Sequence, residues 1–300
     1  MSDSTSVATD RSSVPLGSII ATCSAITFGV LTTLGRLAYD GGSNPLTVVL
    51  LRLVTFIVIV GALLLLLRRP GRLPRRALLG TLWMAVTLAM VSLGYLGSVA
   101  FIPVSLAALI LYSFPLLVGM IAAAAGRERM TIAKAVALLT AFIGLGLALG
   151  LGIESLDWRG VACAMVAALG MALTVTFGGE VMRAEDTLVM NFYTNLWLLI
   201  GLAAYMAAAG GFLLPSTGLG VIGAAGVCVT YVGGFVSLFV SLRMISPVRL
   251  AALFNIEPLV TVVAAWLLLG EVLGVMQLIG AALVLGSIVA ITLASSRIRE

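Results

Sequence analysis

A chain of 300 residues with 61% apolar side chains, 10% charged side chains and a mean hydropathy of +1.21 does not match a water-soluble globular protein, which has about 45–50% apolar and 25% charged residues. So few charges cannot cover a surface in water, and we therefore expect the lipid bilayer to be the main solvent. The net charge of +5 is small, and because no basic run carries interleaved aromatic residues, we expect no nucleic-acid partner.

Ten apolar runs follow one another along the chain, each close to the roughly 20 residues that a bilayer-spanning helix needs. They predict helices over residues 15–37, 45–67, 77–101, 104–125, 131–151, 159–182, 187–209, 218–243, 248–269 and 273–295. Backbone polar groups in lipid must be satisfied inside their own segment. The predicted fold class is therefore an all-α membrane protein with ten transmembrane helices.

The distribution of Lys and Arg predicts the orientation. If the N-terminus is inside, 14 of the 17 basic residues lie on the inner side, and only Arg36 and Arg159 lie outside. Arg52 falls within the second predicted helix. Because inner loops carry the excess of basic residues, we expect both termini inside, with residues 1–14 and 296–300 as cytoplasmic tails.

The chain contains an internal repeat. Residues 103–109 match residues 247–253 at an offset of 144. Further pairs at an offset of 143 are Pro115 with Pro258, Glu128 with Glu271, Tyr112 with Asn255 and Arg52 with Asn195. The repeat predicts two five-helix halves, residues 15–151 and 159–295. Since five is odd, the second half is inverted, which is typical of secondary transporters with a site at the repeat interface.

Several short motifs follow one another in a specific order and spacing along the two halves. They are Thr27-Phe28-Gly29, Arg36, Asn44-Pro45, Leu51-Arg52, residues 111–115, residues 128–131, residues 250–253, Glu257-Pro258, residues 268–271, residues 277–280 and Gly286. This pattern resembles the drug/metabolite transporter superfamily, specifically its ten-helix EamA-type members. Phe28 stands where the family often has Trp, and Arg36 where Lys is common, so the substrate subgroup stays open.

The resemblance implies a multi-pass protein of the cell inner membrane that moves a small metabolite by alternating access. Amino acids or related solutes, moved outward, are the expected substrates. Efflux of drugs or organic cations is an alternative, and a non-transporting membrane receptor or scaffold is an alternative of another class. A small-molecule substrate and the lipid bilayer are the expected partners, with a coupled proton as a further candidate.

Two prolines inside predicted helices mark the candidate site. A proline removes one helical hydrogen bond and frees the carbonyl four residues earlier. Pro115 and Pro258 are therefore predicted kinks near the bilayer centre. Tyr112 and Asn255 lie one turn earlier and are repeat equivalents, so they are candidates for substrate contact, with hydrogen bonding between helices as the alternative.

Further candidates are polar side chains within the apolar runs. Tyr95, Tyr231, Thr32 and Thr174 could add hydroxyl groups to a cavity. Glu257 and Arg52 are deep charges, and charges inside a membrane indicate function by default. Three roles stay open for them: a buried ion pair with each other, carriage of a coupling proton, or substrate contact.

Small residues recur at a spacing of four in two predicted helices, at Gly146 and Gly150 and at Ala282 and Gly286. Such spacing marks close helix contacts, so these helices are candidates for a scaffold or a homodimer interface.

An enzyme is not expected. The chain has no histidine, and Cys23, Cys163 and Cys228 lie in apolar runs without paired spacing. A rhomboid-like protease would need a histidine base, an intramembrane aspartyl protease two membrane aspartates, and a prenyltransferase aspartate-rich magnesium motifs. We therefore expect no catalytic residues, no metal site and no cofactor.

Overall fold

The computed structural model describes residues 13–69, 71–114, 157–182, 185–242 and 256–296, with isolated positions between 117 and 147 and between 244 and 254. Regular structure in these residues is entirely helical. The helices are α1 (Ser13–Asp40), α2 (Pro45–Leu66), α3 (Arg75–Ser98), α4 (Val104–Leu111), α5 (Trp158–Met182), α6 (Thr187–Ala209), α7 (Gly218–Leu242), α8 (Glu257–Leu269) and α9 (Val275–Ser296). The predicted span 131–151 lies almost wholly outside the described residues.

Several helix ends are set by local side-chain chemistry. Asn44 caps α2 by accepting a hydrogen bond from the Thr47 nitrogen at 2.8 Å, and Pro45 follows it in the first turn. Asp186 caps α6 in the same way through Leu188 at 2.9 Å. These side chains accept from N–H groups that have no partner within the helix. They explain why both helices begin where the sequence predicts.

Five of the described helices are long and apolar enough to cross a membrane. The segments are Pro15–Asp40, Pro45–Leu66, Arg75–Ser98, Thr187–Ala209 and Gly218–Leu238. Shorter apolar helical segments cover Trp158–Thr174, Leu259–Leu269 and Leu278–Ser287. The described residues thus form an all-helical membrane protein, while the full set of ten spans and their orientation stay predictions.

Two helix pairs pack most intimately, α1 with α7 and α3 with α5. Glycines allow the helices of both pairs to approach each other closely. A Cβ atom at Gly223 would lie 2.6 Å from the Leu34 carbonyl oxygen, and one at Gly170 would lie 2.8 Å from the Thr87 carbonyl oxygen. In the predicted repeat, α1 and α5 open the two halves, and α3 and α7 are their third helices. The two close pairs are therefore repeat equivalents, as two related halves require.

Hydrogen bonds join the loops at the end of the bundle where α1 stops and α2 starts. Ser43 Oγ donates to the Leu213 carbonyl oxygen at 2.8 Å, and the Ser216 nitrogen donates to the Gly41 carbonyl oxygen at 2.8 Å. At the opposite end, Arg69 forms a salt bridge with Asp186 at 2.8 Å, which joins the end of α2 to the start of α6. Both ends of the described bundle therefore carry contacts between the two halves.

The core contains a chain of aromatic rings between α1, α2 and α7. Phe56 lies 5.5 Å from Tyr231 and 5.6 Å from Phe235, and Phe28 lies 5.2 Å from Phe235, each in an edge-on arrangement. Edge-on geometry is one of the two favoured arrangements of paired aromatic rings. This packing fixes α7 against the first half of the chain.

Candidate functional site

The α4 helix stops well before the end of its predicted span. It ends at Leu111, and Tyr112 follows as the C-terminal cap with its nitrogen bonded to the Ala108 carbonyl oxygen at 2.8 Å. Ser113 turns the chain through a bond to the Ile110 carbonyl oxygen at 3.1 Å. Pro115 lies outside the described residues. The predicted continuous helix over 104–125 is therefore interrupted at Tyr112, inside the apolar run.

The α8 helix likewise begins inside a predicted span. It starts at Glu257, with Pro258 in its first turn. A proline costs no helical hydrogen bond there, because its missing N–H would have no partner. The predicted kink at Pro258 is therefore replaced by a helix start, preceded by a turn in which the Ile256 nitrogen bonds the Leu253 carbonyl oxygen at 3.2 Å.

Five polar side chains meet where these helices stop and start. Tyr112 lies beside the Glu257 carboxyl group, and both residues are half-buried. Tyr95 lies close to Thr32 and Thr261, and it also lies close to Glu257 and Tyr112. We call these five residues the break-point cluster.

The break-point cluster draws on both halves of the chain. Thr32, Tyr95 and Tyr112 come from α1, α3 and the end of α4, whereas Glu257 and Thr261 come from α8. Thr32 is 1% exposed, and its hydroxyl has no hydrogen-bond partner. Three of the six predicted substrate contacts, Thr32, Tyr95 and Tyr112, thus lie together beside Glu257.

The predicted ion pair between Glu257 and Arg52 does not form. Glu257 contacts Tyr112, whereas Arg52 Cζ lies 4.2 Å from the centroid of the Tyr231 ring. The ion pairs within the described part of the chain are Arg36–Asp40, Arg69–Asp186 and Arg159–Asp157. Glu257 and Arg52 therefore lie among different side chains, and the role of each charge has to be argued separately.

Tyr231 lies with Arg52 rather than in the break-point cluster. Its hydroxyl donates to Asn195 Oδ1 at 2.6 Å, and Asn195 Nδ2 donates to the Asn191 carbonyl oxygen at 2.9 Å. Arg52 is 4% exposed and Asn195 is fully buried. We call Arg52, Tyr231 and Asn195 the Arg52 cluster; it joins α2, α7 and α6. Arg52 and Asn195, which the repeat makes equivalent, contact the same tyrosine.

Two further predicted substrate contacts, Thr174 and Asn255, are not part of either cluster. Thr174 Oγ1 lies 2.9 Å from both Thr87 Oγ1 and the Gly170 carbonyl oxygen, so it joins α5 to α3. This is a contact between helices, away from the break-point cluster. Asn255 lies outside the described residues.

Asp157, outside the predicted spans, has a clear electrostatic partner in Arg159. Arg159 donates to Asp157 through its side chain at 2.8 Å and through its backbone nitrogen at 2.9 Å. These hydrogen bonds lower the pKa of the Asp157 carboxyl below its ordinary value. The pair lies at the start of α5, and both side chains are partly exposed. It is therefore a surface ion pair and not part of the break-point cluster.

Comparison with known sequences decides the family. A sequence model described as the EamA-like transporter family matches residues 15–150 and again residues 158–293. The chain belongs to this family. An uncharacterized transporter from Archaeoglobus fulgidus is 30% identical over 268 residues, which cover 88% of this chain and 92% of that protein. The resemblance seen in the sequence motifs is therefore confirmed.

A solved structure has the same fold as this EamA-like chain. It is described only as the crystal structure of a protein, and it matches with a TM-score of 0.62 over 97% of this chain and 100% of that one. The sequence identity is 19%, so the match supports the fold alone. The double family match and the Archaeoglobus fulgidus relative make the protein a membrane transporter of the EamA-like family.

Proposed function

We propose that this EamA-like protein is a secondary transporter of the inner membrane that exports amino acids or related small metabolites by alternating access. The observation that carries the proposal is the break-point cluster, which joins three helices of the first half to α8 of the second. In transporters built from inverted repeats, substrates bind near the midplane at the repeat interface, between discontinuous helices. The proposed halves are residues 15–151 and 159–295.

The interrupted helices suit a zwitterionic solute. The last carbonyl groups of α4 and the first N–H groups of α8 have no partner within their helices. The carbonyl end attracts a cation, and the N–H end attracts an anion. An α-amino acid carries one ammonium and one carboxylate, so it could use both ends, with Glu257 and Tyr112 between them. This complementarity supports amino acids as the substrate class.

An organic cation is the second candidate. Glu257 supplies a carboxyl group beside the rings of Tyr112 and Tyr95, and aromatic faces attract cations. A solute with a positive charge and no carboxylate would use this part of the break-point cluster without the α8 N–H groups. Competition between amino acids and cationic drugs for transport separates the two candidates.

Access from the outer side requires opening contacts between the halves. Ser43 Oγ donates to the Leu213 carbonyl oxygen at 2.8 Å, and the Val104 nitrogen donates to Glu271 Oε1 at 2.9 Å. With the N-terminus inside, both bonds lie at the outer end. The alternating-access proposal therefore requires that they break in the outward-open form.

Glu257 is our candidate for carrying a coupling proton. It is half-buried, contacts a hydroxyl group, and has no cationic partner in an ion pair within the described residues. A carboxyl group there can bind a proton and a substrate alternately. Replacing Glu257 by Gln should abolish transport driven by a pH gradient but spare exchange. If pH-driven transport survived, the coupling role would be rejected.

Counterflow in liposomes tests the function directly. Protein is reconstituted into vesicles preloaded with one amino acid, nucleoside or cationic drug, and uptake of the same labelled solute is measured. We expect preloaded amino acids to stimulate uptake. Tyr112→Phe should weaken the apparent affinity about five- to hundred-fold, the effect of one lost hydrogen bond to a ligand. The matched control Tyr205→Phe, at a tyrosine 57% exposed on α6, should behave as wild type.

Each outcome of that screen decides between named functions. Stimulation by cationic drugs alone would replace the amino acid proposal by the cation alternative. No stimulation by any solute class, in protein that is correctly folded and inserted, would favour the receptor or scaffold alternative. Equal loss of affinity in Tyr112→Phe and in the Tyr205→Phe control would reject the break-point cluster as the site.

A further inference from the structure

Five arginines lie in the segment that connects α2 to α3 and in the first turn of α3. They are Arg68, Arg69, Arg72, Arg75 and Arg76. Arg69 forms the salt bridge with Asp186, and the other four arginines are exposed. None of these four takes part in an ion pair within the described residues. The segment 68–76, which we call the basic loop, therefore presents a concentrated positive charge at one end of the bundle.

Contacts with α6 and with the hydrophobic core hold the basic loop in place. The Tyr193 hydroxyl donates a hydrogen bond to the Gly71 carbonyl oxygen, and Leu73 packs against the core. Together with the salt bridge of Arg69, these contacts attach every second residue from 69 to 73 to the rest of the protein. Binding a ligand to a segment that is already held costs little ordering entropy. The arginines of the basic loop are therefore preorganised.

Local structure explains only two of the five arginines. Arg69 has its carboxylate partner, and Arg68 follows the C-terminal end of α2, where the helix dipole favours a cation. Arg75 and Arg76 begin α3, where the dipole disfavours cations, and the first turn of α3 contains no acidic residue. With Arg72 they form a group of like charges whose mutual repulsion an anion would relieve.

Exposed apolar side chains next to the basic loop indicate the kind of anion. Leu65 and Leu66 are each 81% exposed in the last turn of α2, and Leu79 is exposed in the second turn of α3. In a membrane-spanning chain, such side chains are solvated by lipid acyl chains. A soluble anion would use the arginines alone, whereas a phospholipid uses the arginines and the leucines together. Basic segments that directly adjoin membrane helices attract anionic lipids in this way.

We propose that the basic loop and the exposed leucines beside it bind an anionic phospholipid of the adjoining leaflet. The lipid phosphate accepts hydrogen bonds from Arg72, Arg75 and Arg76, because guanidinium groups match phosphate oxygens with paired N–H donors. The basic loop contains no acidic residue that could pair with the ammonium of a zwitterionic headgroup. With the N-terminus inside, the lipid lies in the inner leaflet. This site is separate from the break-point cluster and does not depend on the transport proposal.

Thermal unfolding of the purified full-length protein in a neutral detergent tests the site without any transport. Separate titrations add dioleoylphosphatidylglycerol, dioleoylphosphatidylcholine or soluble glycerol phosphate at constant ionic strength. We expect a saturable rise of the melting temperature that needs less phosphatidylglycerol than phosphatidylcholine, because a ligand that binds the folded state stabilises it. Equal responses to the two lipids, or a response to neither, overturn the proposal. A response to glycerol phosphate at the same concentration as phosphatidylglycerol identifies a soluble anion and overturns the lipid proposal as well.

Variants locate the response. The triple variant Arg72→Gln, Arg75→Gln, Arg76→Gln changes exposed side chains only, so it should fold as wild type. Half-saturation should need about a hundredfold more phosphatidylglycerol, about fivefold for each arginine near an anionic lipid surface. Arg159→Gln is the control and should respond as wild type, because this arginine lies over Phe101, beyond the other end of α3. If the triple variant kept the wild-type half-saturation, or if the control shifted it equally, the proposal would be wrong.

Discussion

At the scale of single residues, the two deep charges illustrate what sequence spacing can and cannot predict. Glu257 and Thr261 are four residues apart on α8, so they share a helical face, and both lie in the break-point cluster. The partner of a charge depends on how helices distant in sequence are rotated against each other. No periodicity supplies that rotation, so the sequence left the Glu257–Arg52 ion pair as one of three open roles, and the packing does not form it.

A double-mutant cycle distinguishes separate charges from a pair. Glu257→Gln should cost far less than the roughly 3–5 kcal/mol lost when one partner of a buried pair is removed. Combined with Arg52→Gln, the changes in unfolding free energy should add within about 0.5 kcal/mol, as expected for independent sites. Chemical unfolding in detergent gives the unfolding free energy of the wild type, the two single variants and the double variant. A coupling energy above about 1 kcal/mol would show that the charges interact.

Tyr231 offers a second test at this scale. Tyr231→Phe keeps the ring over Arg52 but leaves the buried Asn195 Oδ1 without its 2.6 Å donor. An unsatisfied buried acceptor costs about 1–3 kcal/mol, so the melting temperature should fall. Phe56→Leu, in the same core, controls for loss of ring packing. A Tyr231→Phe protein as stable as wild type would mean that the hydroxyl contributes nothing to the Arg52 cluster.

At the scale of helices, sequence predicted most boundaries well. The predicted ends of α1, α2, α3, α5, α6, α7 and α9 lie within three residues of the observed ones. These helices end at caps, glycines or charges that interrupt an apolar run. The end of α4 and the start of α8 were missed because hydropathy is the same for a continuous helix and a broken one, whereas the start of α4 and the end of α8 were predicted correctly. Pro258 marked the region of the α8 break but not whether it bends or begins the helix.

Helix contacts give a prediction with a matched control. Gly170→Ala should destabilise the protein, because the new Cβ would lie 2.6 Å from Met90 Cβ and 2.8 Å from the Thr87 carbonyl oxygen. Gly201→Ala, in α6, meets no atom within 4 Å and should stabilise it by up to about 1 kcal/mol through helix propensity. Melting temperatures that move in the same direction for both variants would contradict the α3–α5 contact.

At the scale of the whole molecule, orientation and oligomeric state still depend on sequence arguments. Single cysteines at Ser2 and Ser296, in a chain whose native cysteines have been replaced, should resist an impermeant thiol reagent applied outside intact cells. Labelling of either tail from outside would contradict the predicted orientation. Ala282 and Gly286 are exposed on α9, so this face is available for the proposed homodimer contact.

The central claim is that two related halves move around the break-point cluster, and distances between spin labels test it most directly. One pair, at Ala100 and Val272, lies at the proposed outer end; the other, at Leu79 on α3 and Val240 on α7, lies towards the proposed inner end. Addition of a transported solute should change the two distances in opposite senses, one pair separating as the other approaches. If both pairs separated together, or neither changed with a solute that gives counterflow, alternating access between the two halves would be contradicted.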